Sequence, residues 1–178
     1  KNSMKILVLY TRLTGYWLAC MRHDVQTKGN EYLIIRKAPS EEAPFSIESE
    51  MGIKVIDDDK LTFEAILILS KVYNPDLLYV AGWSDKRYLK VALYYKECNI
   101  STIVGVDNQW LGSFKQRVAA MFGAFLVKKY FTHIWVAGKP QYYFARKLGF
   151  LPKNICTGLY CADESSFNVI KQTKLNKQ

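Results

Sequence analysis

The sequence predicts an α/β fold, a mostly parallel, doubly wound sheet with helices on both faces. Two observations carry that expectation. Short apolar runs rich in β-branched and aliphatic residues recur along the chain (5–10, 31–36, 77–81, 102–106 and 133–137), as strands buried on both faces do. Between them lie longer stretches with apolar residues at helical spacing, and strand–helix alternation of this kind winds right-handed onto a parallel sheet. A third observation concerns function: several runs stop abruptly at polar side chains, and in open α/β sheets ligands bind at the carboxyl ends of the strands.

Residues 5–10 (KILVLY) are apolar enough for a central strand, and a turn over 11–15 follows. A helix is expected over 16–27, with Trp17, Leu18, Met21 and Val25 on one face and Gly29 just past its end. Residues 31–36 (EYLIIR) form the second strand, and the polar stretch with Pro39 and Pro44 a surface loop. Residues 51–56 read as an edge strand broken by Lys54; Asp57, Asp58 and Asp59 then offer carboxylates to cap a helix over 60–73. Residues 77–81 (LLYVA) make a buried strand, 86–97 a helix, and 102–106 (TIVGV) a strand ending at Asp107, Asn108 and Gln109. The segment 110–130 is amphipathic, with Phe114, Val118, Met121, Phe122 and Phe125 on one stripe. Residues 133–137 form another strand, Pro140 opens a helix that Gly149 closes, and 154–159 are a last strand-like piece.

The chain has 178 residues, 49% of them hydrophobic and 23% charged, which suits one globular domain and excludes a disordered chain. That domain is expected over 4–167, with 168–178 as a polar, Lys-rich tail or linker and 1–3 as additions before a natural start at Met4. No apolar run reaches the roughly 18 residues of a membrane-spanning helix, and no signal peptide is seen. The expected location is cytoplasmic, at or near the inner face of the membrane. The four cysteines (Cys20, Cys98, Cys156, Cys161) lack zinc spacing and read as reduced thiols. A net charge of +9 admits a phosphorylated ligand, an anionic membrane or nucleic acid; without a nucleic-acid-binding signature the last is set aside.

Candidate site residues come from four strand ends. They are Arg12, Thr14 and Gly15 after the first; Trp83, Ser84 and Asp85 after 77–81; Asp107, Asn108 and Gln109; and Lys139 with Gln141. A parallel sheet brings these to one rim, where a carboxylate can accept a proton and cations can meet phosphate. Each also has a structural reading: Asp85 and Asp107 as helix caps, Arg12 as a solvated side chain. Gly15 belongs to no G-x-G-x-x-G fingerprint and no acidic residue ends the second strand, which argues against a dinucleotide site. His23 and His133 sit away from the rim, so a histidine-activated nucleophile has no support. The segment 110–130 is either a core helix with a charged outer face or a helix whose Trp110, Phe114 and cations touch a membrane or a lipid-linked sugar.

The ordered set KILVLY, PDLLYVAGW, TIVGVDNQW, HIWVAGKPQYYFARKLGF and ICTGLYCADESSF resembles the amino-terminal half of group 1 glycosyltransferases, which have the GT-B fold of two Rossmann-like domains. The resemblance runs to about Phe167. It implies an acceptor-side domain of an enzyme that moves a sugar from a nucleotide-sugar donor to a hydroxyl of a glycan or lipid-linked glycan in surface polysaccharide synthesis. Asp107 would orient or deprotonate that hydroxyl, with Arg12, Lys139 and Gln141 on the acceptor or phosphate side. The donor is a co-substrate; no metal or other cofactor is expected. The family's donor-binding carboxyl-terminal domain, with its paired glutamates, has no counterpart in these residues. The domain is therefore expected to be inactive alone and to partner that second domain, with peripheral contact to an anionic membrane. Two departures from the family pattern bear on this: its histidine-bearing phrase is replaced at Asp107, Asn108 and Gln109, and the carboxyl-terminal half with the donor pocket is absent. The alternatives are one subunit of a split glycosyltransferase and a non-catalytic doubly wound module that binds a phosphorylated ligand.

Overall fold

The computed structural model describes residues 3–159 apart from 12, 14, 39–48, 109, 111 and 113, and for 114–116 and 118–122 it describes the backbone alone. In chain order the elements are β1 (Lys5–Tyr10), α1 (Gly15–Lys28), β2 (Glu31–Arg36), β3 (Ile53–Asp57), α2 (Phe63–Tyr73), β4 (Leu77–Ala81), α3 (Lys86–Glu97), β5 (Ser101–Val106), α4 (Phe114–Tyr130), β6 (His133–Val136), α5 (Lys139–Lys147) and β7 (Ile155–Thr157). The strands form one sheet in the order β3-β2-β1-β4-β5-β6-β7. Each neighbouring pair is parallel, as the doubly wound expectation required. The sheet grows outward from β1 to β3, returns to lay β4 against the other side of β1, then grows on to β7. Between β1 and β4 the direction of growth reverses, so the loops leaving those strands diverge and open a crevice above them.

Strand alternation gives the sheet two apolar faces. Leu7 and Leu9 of β1 join Leu33, Ile35, Leu78, Val80, Val104 and Ile134 under α2, α3, α4 and α5. Ile6, Val8 and Tyr10 point the other way and meet Trp17, Leu18 and Met21 of α1. Full burial of a side chain such as Leu7 or Leu9, each without exposed area, stabilises the fold by about 1.5–3 kcal/mol.

Two local expectations need correction. The helix after β3 begins at Phe63 rather than residue 60, and Thr62 caps it, its hydroxyl accepting from the Ala65 N–H at 3.3 Å. None of the three aspartates caps it: Asp57 pairs with Arg36, Asp59 accepts from the Ala38 N–H, and Asp58 is buried. The second correction concerns α4. Phe125 was expected in the buried stripe but is 79% exposed, and Val127 packs inward instead. The remaining stripe positions, Phe114, Val118, Met121 and Phe122, have side chains outside the described residues. Trp110 lies before the helix and stacks on Phe144 of α5 at 5.9 Å between ring centroids.

Gly105 on β5 is required by packing. A Cβ there would lie 1.9 Å from the Tyr79 hydroxyl oxygen and 2.7 Å from the ring carbon that bears it. Tyr79 is buried, so the ring cannot swing away freely. Gly105→Ala is expected to destabilise by about 1–3 kcal/mol, the usual range for overpacking. Chemical denaturation should show that loss, and adding Tyr79→Phe, which removes the clashing oxygen, should recover part of it.

Candidate functional site

The crevice above β1, β4 and β5 is a cleft of about 390 Å³, within the size range of small-molecule sites, about 300–1,000 Å³. Three strand ends build it: Tyr10 and Thr11 after β1, the segment 81–84 after β4, and Asp107 and Asn108 after β5. Tyr16 of α1 and Leu159, beyond β7, complete the lining. Below lies an aromatic cluster. Tyr79 packs 4.9 Å from Trp17 and 6.3 Å from Tyr10 between ring centroids, and Trp135 meets both Tyr79 and Trp17 edge-on. The cleft therefore has an aromatic floor and a polar rim, an arrangement chemically able to stack against a ring and hydrogen-bond its substituents.

The β4 wall turns at Gly82, whose φ of +80° is left-handed backbone that a glycine adopts without strain. Its N–H donates to the Gly105 carbonyl at 3.1 Å, which ties the ends of β4 and β5 together and carries Trp83 and Ser84 over the cleft. Asp107 is the first residue past β5 and is exposed. Its carbonyl accepts from the Gln141 side chain at 3.1 Å, so the first turn of α5 holds the backbone of the β5 terminus in place. Exposed Lys139 begins that turn. Gly15 begins α1, with open space where a side chain would be. Arg12, Thr14 and Gln109 lie outside the described residues.

The rim expected from the sequence is thus assembled for Trp83, Ser84, Asp107 and Asn108, which line the cleft, with Gln141 bonded to one of them. Asp85 is engaged differently. Its side chain caps α3, accepting from the Arg87 N–H at 2.8 Å, and also pairs with the Arg87 guanidinium at 2.8 Å. Burial alone would push the Asp85 carboxyl up, but hydrogen bonds from the Arg87 side chain and backbone and that cation's charge hold it below the ordinary carboxylate value. Next to it is a group that the sequence reading missed. Asp58 is 1% exposed and accepts from the Tyr88 hydroxyl and, at 2.9 Å, from Arg87, which also donates to the Asp58 and Leu61 carbonyls. Burial, with Asp58 as the next cause, pushes the Tyr88 hydroxyl far above its ordinary value. Nothing local in the sequence signals this network, because its members lie 29 and 30 positions apart.

His133 opens β6 at the opposite end of the sheet, its ring nitrogen 2.9 Å from the Thr132 hydroxyl. Among the described residues no cluster of three His, Cys, Asp or Glu side chains is placed to hold a metal. No described helix is long and apolar enough to cross a membrane.

The chain is similar in fold to UDP-N-acetylglucosamine 2-epimerase from Rickettsia bellii, with a TM-score of 0.54 and 11% identity over 88% of this chain and 44% of that one. It is also similar to L-threonine dehydrogenase from Clostridium difficile, with a TM-score of 0.49 and 13% identity over 76% of this chain and 54% of that one. The chain thus spans about half the length, or less, of these solved structures. No family model matches the chain, and no curated protein does.

Proposed function

We propose that the chain is the acceptor-side domain of a glycosyltransferase, and that the switch-point cleft holds the sugar acceptor beside the phosphates of a nucleotide-sugar donor. One observation carries the reading: an exposed carboxylate, Asp107, stands at the mouth of a cleft whose floor is aromatic and whose rim is polar. A pyranose ring meets those demands, since its C–H faces pack on aromatic rings while its hydroxyls need polar partners. Asp107 would orient one hydroxyl and take its proton, Asn108 and Ser84 would fix neighbouring hydroxyls, and Lys139 with the amino-terminal end of α1 at Gly15 would face the phosphates. That a fold of this kind serves an epimerase of UDP-N-acetylglucosamine is compatible with the reading. A second domain would supply the donor pocket, so the chain alone is expected to bind without turnover.

Calorimetric titration of the chain with UDP-sugars and with short oligosaccharides tests this directly. Weak binding is expected, reduced about two- to tenfold in Trp83→Ala, because losing an aromatic face costs about 0.5–1.5 kcal/mol. Ser84→Trp, at an exposed position, should block the cleft. Binding that ignores both variants would count against the cleft as the site.

A further inference from the structure

At the end of the sheet away from the cleft, a concavity of about 270 Å³ opens where the chain enters β6 and β7. Lys96 of α3 and Lys128 of α4 line it, with Phe131 and the turn that carries Phe150 and Leu151. The fold holds both lysines in place. Lys96 donates to the Lys128 carbonyl and, at 3.2 Å, to the Lys129 carbonyl, acceptors that the last turn of a helix leaves without partners. An ammonium has three N–H donors, so capping α4 uses two and leaves one. The Lys128 stem lies across Gly149, its Cδ 3.4 Å and its Nζ 3.7 Å from where a Cβ would stand. The Gly149 φ of +83° suits a glycine, which makes the turn and leaves a bed for the lysine.

Two positioned cations thus share one cavity, and among the described residues neither is paired with a carboxylate. Burial, and after it the charge of Lys128, holds the Lys96 amine below its ordinary value. A neighbouring anion opposes both effects. Leu151 is 56% exposed at the same cavity, an apolar surface beside the charged one.

We propose that this cavity binds a small phosphomonoester, its phosphate between Lys96 and Lys128 and its organic group against Leu151. Charge favours a phosphomonoester over a carboxylate: it carries about 1.5–2 negative charges at neutral pH, against two ammonium groups here. The site does not depend on the reading of the cleft, since the two lie at opposite ends of the strands. A ligand here joins α3, α4 and the turn before β7, so it stabilises the folded chain by mass action.

The test titrates the chain calorimetrically with phenyl phosphate, with inorganic phosphate, benzoate and vesicles containing phosphatidic acid as comparisons. Phenyl phosphate should bind about tenfold more tightly than inorganic phosphate, and more tightly than benzoate. Lys128→Met, at an exposed position, should cost about tenfold or more. Lys96→Met should cost as much; should uncapping α4 unfold that variant, Lys128→Met decides. Lys60→Met, an exposed lysine outside the cavity, should change nothing. Nuclear magnetic resonance of the Lys96 amine should show its pKa rising as phenyl phosphate is added, which capping alone would not produce. Equal losses in Lys60→Met and Lys128→Met would mark general attraction to a basic protein and overturn the proposal. So would equal affinity for inorganic and phenyl phosphate, no binding of either, or binding confined to the vesicles, which would mark a membrane surface instead.

Discussion

On the proposed reading, Asp107→Ala in a protein that joins this domain to a donor-binding domain is expected to lower transfer by a factor of about 10²–10⁴, the span that a positioned general base contributes, while changing stability by no more than about 0.5 kcal/mol, as exposed substitutions usually do. The side chain is exposed and the backbone around it is held from elsewhere. Val106 pairs with Val136, and the Asp107 carbonyl is bonded by Gln141. Truncation therefore alters chemistry with little effect on fold. Asp107→Asn separates two roles. If the carboxylate only accepts a hydrogen bond, the amide should keep much of the rate; if it takes the proton, Asn should be as poor as Ala. Steady-state kinetics with oligosaccharide acceptors would read this, and a variant that transfers at the parent rate would remove Asp107 from the mechanism.

The largest stability effect is expected at Asp58. In Asp58→Ala the Tyr88 hydroxyl loses its carboxylate partner in the core and Arg87 loses one of two anions. Breaking one side of a buried pair costs about 3–5 kcal/mol, measurable by urea titration. Arg87→Ala strips the same carboxylate of its cation and is expected to cost a similar amount. Asp85 adds a dependence on pH. Its folded value lies below the ordinary one, so its contribution is complete above the unfolded-state value, near 3.9. That contribution is lost as pH falls through the depressed folded value. Stability should therefore decline below about pH 4, and Asp85→Asn should flatten that decline while lowering stability at neutral pH.

The run Asp57, Asp58, Asp59 shows where the sequence stops being informative. Three aspartates before a helix are what capping looks like, and the other reading that a local pattern offers is a metal site. What decides Asp58 is Arg87 and Tyr88, brought beside it only when α3 packs against the loop before α2. The Trp83–Ser84 and Asp107–Asn108 pairs were legible for the opposite reason. A strand end in a parallel sheet has one direction to face, so topology alone places it, and the topology follows from the alternation of apolar runs and helical periods. Bounds were accurate where caps are unambiguous, as in α3 with Asp85 before it. They slipped at α4, where Phe125 obeys the helical period but faces water, since spacing states which residues share a face and not what lies against it.

Among the described residues the sheet ends at one margin in β3, where Lys54 is exposed, and at the other in β7, three residues long. Short outer strands and charged residues on them discourage a neighbouring chain from adding itself by backbone pairing. Self-association by strand addition therefore has little to start from at either described border.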